Sequence, residues 1–239
     1  MEEKQFWNYM ELLKVSPAQL DLLLADGWRH FGTFFFRDTL SWNGETLSTI
    51  IPLRINLARF CLSKSQRKLL RRAQNSRVVF RDAFIDAEKE AIFHKHCQRF
   101  KANVPHSLCD FLHPQPAYVP CHTMECCLYD AQGQLYAVSF LDVAQHSTSS
   151  IYAMFDPEYS PLSPGLHTLL EEICFAQSLQ KQYLYTGYAF WESSTYDYKK
   201  KFAGTEYYDW QGQWQALENA PPPFFERKKN KKGFLQRCS

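Results

Sequence analysis

No stretch of the sequence approaches the roughly 18 consecutive apolar residues that cross a bilayer, so no membrane span is expected. The first residues, MEEKQFWNYMELL, start acidic and lack an unbroken apolar run, so they do not read as a secretory signal. Eight cysteines (61, 97, 109, 121, 126, 127, 174 and 238) are scattered, and no pair has CxxC spacing. That argues against a zinc or disulfide framework and for free thiols in a reducing compartment. Cys126 and Cys127 point to opposite faces if they lie on a strand, which argues against joint ligation of one metal. GxSxG, HExxH and P-loop motifs are all missing, which removes the common hydrolase and nucleotide signatures. Formal net charge is only +2, so any nucleic-acid partner must be held by local clusters rather than a global field. These absences predict a cytoplasmic protein, monomeric, with no metal and no cofactor.

Aromatics are plentiful: 19 Phe and 13 Tyr in 239 residues, within a composition that is 45% hydrophobic and 22% charged. This supports a substantial core rich in strands, in one large domain or two tightly packed smaller ones. Ser16-Pro17-Ala18-Gln19 reads as a capped helix start, with Leu20, Leu23 and Leu24 as its apolar stripe and Gly27 as its end. GWRHFGTFFFR, 27–37, reads as a strand, and a second strand is expected around Ile50 to Leu57. Ser63-Lys64-Ser65-Gln66 opens another helix, to about Gln74, on which Lys64, Arg67, Lys68, Arg71 and Arg72 share one arc. A third helix is expected from Asp86 to about Lys101, with Ile92, Phe93, His96, Cys97 and Phe100 inward. Pro105, Pro114, Pro116 and Pro120 make 103–120 a loop with at most one helical turn. Strands are predicted at 124–130, 134–143 and 149–155. A long helix with Leu166, Leu169, Leu170, Ile173 and Cys174 on its inner face follows, and then a strand at 182–188.

The order β-β-β-α-β points to an α/β protein with a mixed sheet flanked by helices, suited to the acyltransferase fold of the GNAT superfamily. The expected divisions are an N-terminal α/β portion at 1–80, a GNAT-like transferase domain at 81–220 and a basic, flexible tail at 221–239. In coenzyme A enzymes of that fold, the turn before the long helix carries a glycine-rich pyrophosphate loop. Here that turn is PLSPGLHTLL, with Gly165 its only glycine, so a coenzyme A site is not expected.

Two stretches carry local charge. KQYLYTGYAFWESSTYDYKKKF, 181–202, places Gly187 within a strand and follows it with Tyr196, Tyr198 and Lys199 to Lys201. Such a segment is either a solvated lysine run beside buried aromatics or a wall that stacks on a base and neutralises phosphate. The basic helix is likewise either a solvated face or an anion site. Its five cations have no interleaved acid and repel one another by a few tenths of a kcal/mol per pair.

Several stretches in order resemble the aminoacyl-tRNA–protein transferases of the N-degron pathway, arginyl and leucyl types. They are GWRHFGTFFFR, IPLRINLARFCLSKSQRKLLRRAQ, LYAVSFLDVAQHSTSSIYAMFDPEYS, PGLHTLLEEI and YLYTGYAFWESSTYDYKKKF. The family's basic helix start is met by Ser63, Ser65, Gln66, Arg67 and Lys68, and its glycine-tyrosine-lysine pattern by Tyr185, Gly187, Tyr188, Tyr198 and Lys199. Its strand Asp is matched by Asp142, and its aspartate-proline turn by Phe155, Asp156 and Pro157. The resemblance implies transfer of an amino acid from aminoacyl-tRNA to the α-amine of a protein beginning with Asp or Glu, on a GNAT-like fold without coenzyme A. The chemistry of that transfer suggests catalytic roles: Asp142 to accept or orient the amine proton, and Lys199 or a tyrosine hydroxyl such as that of Tyr188 to face the oxyanion. Substrate contacts are implied for Arg29, Arg54, Lys64, Arg67, Lys68, Arg71, Arg72, Tyr185, Gly187 and Tyr198. The family's cysteine-rich N-terminal motif has no counterpart: SWNGETLSTIIPLR carries none, so a metal or iron–sulfur cluster is not expected there. Two other readings stay open at this point: an acyl-CoA-dependent N-acyltransferase, and a non-catalytic peptide- or RNA-binding relative.

Overall fold

A computed structural model describes residues 7–101 and 104–219. The first strand, β1 (Trp7–Glu11), leads to helix α1 (Pro17–Ala25), opened by the expected reciprocal cap between Ser16 and Gln19. Residues 27–37 form a hairpin rather than one strand. Gly32, at φ 51, breaks the run into β2 (Arg29–Phe31) and β3 (Phe34–Asp38). These strands make a small antiparallel sheet in the order β1-β3-β2.

The remaining strands build one sheet, nine-stranded among the described residues. They are β4 (Leu40–Asn43), β5 (Thr46–Asn56), β6 (Arg77–Asp82), β7 (Thr123–Tyr129), β8 (Leu135–Val143), β9 (Ser147–Phe155), β10 (Tyr183–Phe190), β11 (Thr205–Tyr208) and β12 (Trp214–Ala216). The order is β12-β11-β5-β10-β9-β8-β7-β6, with β4 on β5, and the sheet takes strands from both sides of the division expected at residue 80. Strand β6 has no counterpart among the expected elements. Arg77 and Arg81 make its sequence look polar, yet Val79 packs on one face and Val78 and Phe80 on the other.

Helices α2 (Lys64–Arg72) and α4 (Pro164–Ser178) lie on one face of this sheet. Leu169, Leu170, Ile173 and Ala176 of α4 join Ile55, Leu184 and Phe202 in a buried cluster, with Leu69 and Leu70 of α2 against it. Each fully buried aliphatic there contributes about 1.5–3 kcal/mol. Cys174, expected inward, is exposed instead. Helix α3 (Ala87–Cys97) and the α1–small-sheet unit cover the opposite face. Phe100 is also exposed, because the backbone after Cys97 tightens into bonds from Arg99 to His96 and Phe100 to Cys97, ending the helix early. A single 3-10 turn, Leu108–Asp110, interrupts the proline-rich loop. The expected basic tail at 221–239 lies outside the described residues.

All neighbouring strands are antiparallel except β9 and β10. Those two run parallel and pair only over Ser147–Ser149 and Tyr183–Tyr185. Beyond that, β9 stays with β8 and β10 stays with β5, so the sheet splits into a gap. A bulge between Tyr185 and Gly187 sits where the split begins.

Candidate active site

Charged side chains from three elements converge where β9 and β10 part. Gly187, at φ +89, leaves room there: a β-carbon on it would stand 3.3 Å from Arg29 Nη2 and 3.4 Å from Lys199 Nζ. Arg29 enters from β2. Its guanidinium donates to the Ser149 hydroxyl at 2.5 Å and to the Ser150 carbonyl, the last paired residue of β9 and the first unpaired one. Lys199 enters from a 3-10 turn, Asp197–Lys201, and donates weakly to the Tyr188 carbonyl at 3.4 Å. Neither cation has an acid within ion-pair distance among the described residues. Two adjacent cations with no acid in direct contact repel each other, so the gap favours an anion or a developing oxyanion.

Glu172 of α4 supplies the third charge, from below the gap. It is 1% exposed and accepts a hydrogen bond from the Ser150 hydroxyl. Burial raises its carboxyl to about 7, against the hydrogen bonds it receives and the nearby charges of Lys199 and Arg29. Burial, reinforced by Arg29, lowers Lys199 to about 7, with Glu172 opposing. Burial thus moves both groups towards neutrality, from opposite sides. Glu172 was missed in the sequence, as were Ser149 and Ser150. One signal was available: Glu172 falls on the same helical arc as Leu169, Ile173 and Ala176, which are buried.

Other expected residues lie elsewhere or are already occupied. Asp142 is fully buried, not open to a substrate amine: its oxygens accept from His30 Nε2 at 2.7 Å and Thr123 Oγ1 at 2.7 Å. Burial alone would raise its carboxyl, but His30's charge and these hydrogen bonds hold it below the usual range. His30 donates through Nδ1 to the Gly32 carbonyl at 2.9 Å, and the Cys121 thiol lies 3.9 Å from its Nε2. The group His30, Cys121, Asp142 is compact enough for a metal, but hydrogen bonds already connect all three. Arg54 does not reach the gap. It pairs with Glu206 at 2.7 Å and lies 3.7 Å from the ring centre of Tyr183 and 4.3 Å from that of Trp214. Tyr185 is core, edge-on to Trp214. Tyr188 borders the gap through its backbone, while its hydroxyl donates to the Gly27 carbonyl at 2.8 Å. Tyr198 is exposed beside Lys199, as is Tyr196, whose ring lies 5.3 Å from Lys199 Nζ.

The basic helix is capped by Ser63 and Gln66, and Lys64, Arg67, Lys68, Arg71 and Arg72 are all exposed. None of the five forms an ion pair among the described residues; Arg67 donates to the Leu62 carbonyl at 2.6 Å. Leu69 and Leu70 of α2 meet Phe202, three residues after Lys199, in one apolar cluster. No helix among the described residues is long and apolar enough to cross a membrane.

Comparison with known proteins agrees with this architecture. An aspartate/glutamate leucyltransferase of Vibrio parahaemolyticus is 30% identical over 185 residues, covering 76% of each chain. One from Campylobacter jejuni is 29% identical over 207 residues, covering 84% of this chain and 83% of the relative. Among solved structures, that of FemX superposes with a TM-score of 0.50 at 11% identity, over 86% of this chain and 70% of that one. The mixed sheet and flanking helices thus form the α/β, GNAT-like acyltransferase fold expected from the order of elements. Residues 74–209 match the family described as "Arginine-tRNA-protein transferase, C terminus", more than half of the sequence, and the chain belongs to that family.

Proposed function

We propose that this protein transfers an amino acid from an aminoacyl-tRNA to the α-amine of a protein that begins with Asp or Glu. The observation that carries this reading is the meeting of Arg29 and Lys199 over Gly187, at the split between β9 and β10, with no acid within ion-pair distance of either among the described residues. An aminoacyl ester is already activated, so the enzyme must chiefly align an amine with the carbonyl and stabilise the oxyanion. Arg29 and Lys199 supply positive charge for that oxyanion. Lys64, Arg67, Lys68, Arg71 and Arg72 offer phosphate contacts for the acceptor arm. Tyr198 and Tyr196, exposed beside Lys199, offer rings for the terminal adenosine. Asp142 works at one remove, as a positioning residue that holds His30 and through it the strand that carries Arg29.

The start of α4 suits an RNA-borne donor better than coenzyme A. Ser163, at φ 54, and Pro164 occupy the turn where a pyrophosphate loop would need glycine amides. Leucine is the first donor to test, since both relatives above carry that name.

The test is incubation with radiolabelled leucyl- or arginyl-tRNA and peptides beginning with Asp, Glu, Lys or Arg. Ribonuclease-sensitive label on the Asp and Glu peptides is expected. Label on no peptide with either donor would overturn the reading.

A further inference from the structure

We propose that Glu172, acting through the hydroxyl of Ser150, takes the proton of the attacking amine and returns it to the leaving ribose oxygen. The proposal rests on the aminoacyl-transfer reading and assigns its proton path.

The geometry is that of a relay. Glu172 itself is sealed, 1% exposed, behind the sheet. Its carboxylate holds the Ser150 hydroxyl, and Ser150, half-exposed, is the first residue of β9 beyond the last pair with β10. Arg29 fixes the Ser150 carbonyl, and so the backbone that carries the hydroxyl, while Glu172 holds the hydroxyl itself. A serine oxygen that donates to a carboxylate keeps lone pairs free for a proton arriving from the gap. The charged or titratable groups facing Glu172 are Arg29 from β2, Lys199 and Tyr198 from the 3-10 turn, and Cys126 from β7. Burying a carboxylate costs stability, and a catalytic role would account for its being kept at this position.

The step balances without a co-reactant. The amine lone pair forms the N–C bond, and the carbonyl π electrons move to the oxygen that faces Arg29 and Lys199. One N–H proton passes to the Ser150 oxygen while the serine proton passes to Glu172. The oxyanion's electrons then re-form the carbonyl as the C–O bond to the ribose breaks, the electrons of that bond stay on the ribose oxygen, and Glu172 returns the proton to it along the same path. The products are the new amide and a free ribose hydroxyl.

Single-turnover transfer to a saturating Asp-peptide, measured from pH 5.5 to 9, tests the relay on the full chain. Glu172→Gln preserves shape and is expected to slow the step by about 100-fold with little change in peptide KM. Lys199 faces the oxyanion only as the cation, and Glu172 accepts a proton only as the carboxylate. The wild-type rate should therefore fall on the alkaline side of about pH 7 and, on the acid side, rise along a limb set by Glu172 and coupled to Lys199. In Glu172→Gln that limb should shift towards the titration of the peptide amine, near pH 8. Ser150→Ala should lose a similar factor, and Ser150→Thr, which keeps a hydroxyl, should recover most of it. A folded Glu172→Gln with wild-type rate and profile would overturn the proposal. A Ser150→Ala variant with full activity would overturn the path through Ser150. Inactivity of the wild type with every donor would overturn both the proposal and the reading beneath it.

Discussion

Arg29 and Lys199 approach the α-carbon of Gly187 from different elements and share the space that a side chain at residue 187 would occupy. Glycine is needed there twice over, for its φ of +89 and for the two cations. Gly187→Ala is therefore expected to cost about 1–3 kcal/mol from backbone strain alone. Calorimetry should show the lower Tm. Transfer per folded molecule should fall at least tenfold as Arg29 and Lys199 are displaced.

Lys199→Met should separate function from stability. The methionine keeps most of the side chain's length and removes a desolvated charge that faces another cation. A gain of about 1 kcal/mol is expected at pH 6, or roughly 2–4 °C in Tm, together with loss of transfer. The sign follows from Lys199's folded value, about 7, against an ordinary 10.5. The buried charge costs most below pH 7, and the cost fades as pH rises towards 10.5. The Tm difference between variant and wild type should therefore shrink on moving from pH 6 to pH 9, as scanning calorimetry at the two values would reveal.

Much of this arrangement is legible in the amino-acid order, but unevenly. The caps at Ser16 and Ser63, the three meander strands and the inner face of α4 follow from local rules, because caps and periodicity need no knowledge of the partner element. Gly187 and Lys199 were visible as a glycine within a strand and a lysine after it. Arg29 was flagged only by family resemblance, since one arginine in an aromatic run has no local signature. Glu172 stayed hidden because acids on helices are usually solvated, and only its helical phase hinted otherwise. Strand β6 was obscured by Arg81, whose charge is met across the sheet by Glu125 at 2.6 Å. Asp142 was visible as a polar residue in a core strand, but its partner His30 lies 112 residues away. No local pattern reports that pairing.

The exposed cations of α2 should be felt through salt. Arg67→Glu combined with Arg71→Glu is expected to weaken tRNA binding and reduce the slope of log affinity against log salt by about 1–2. Filter binding at several salt concentrations would measure both. An unchanged slope would make this face merely solvated.

Asp142→Asn should act on the scaffold. His30 would keep only a neutral amide in place of its buried carboxylate partner, at an expected cost of about 3–5 kcal/mol, or roughly 10 °C in Tm. Thermal unfolding followed by circular dichroism checks it. A fall of less than 2 °C, with transfer lost, would instead make Asp142 a direct participant.

His30 and Arg29 are neighbours on one strand, and neighbours on a strand face opposite ways. The clamp that Asp142 places on His30 in the interior therefore also sets the aim of the guanidinium on the other side. The guanidinium is thus aimed from two sides, by Ser149 and Ser150 at the gap and by the packing of His30 beneath its own strand.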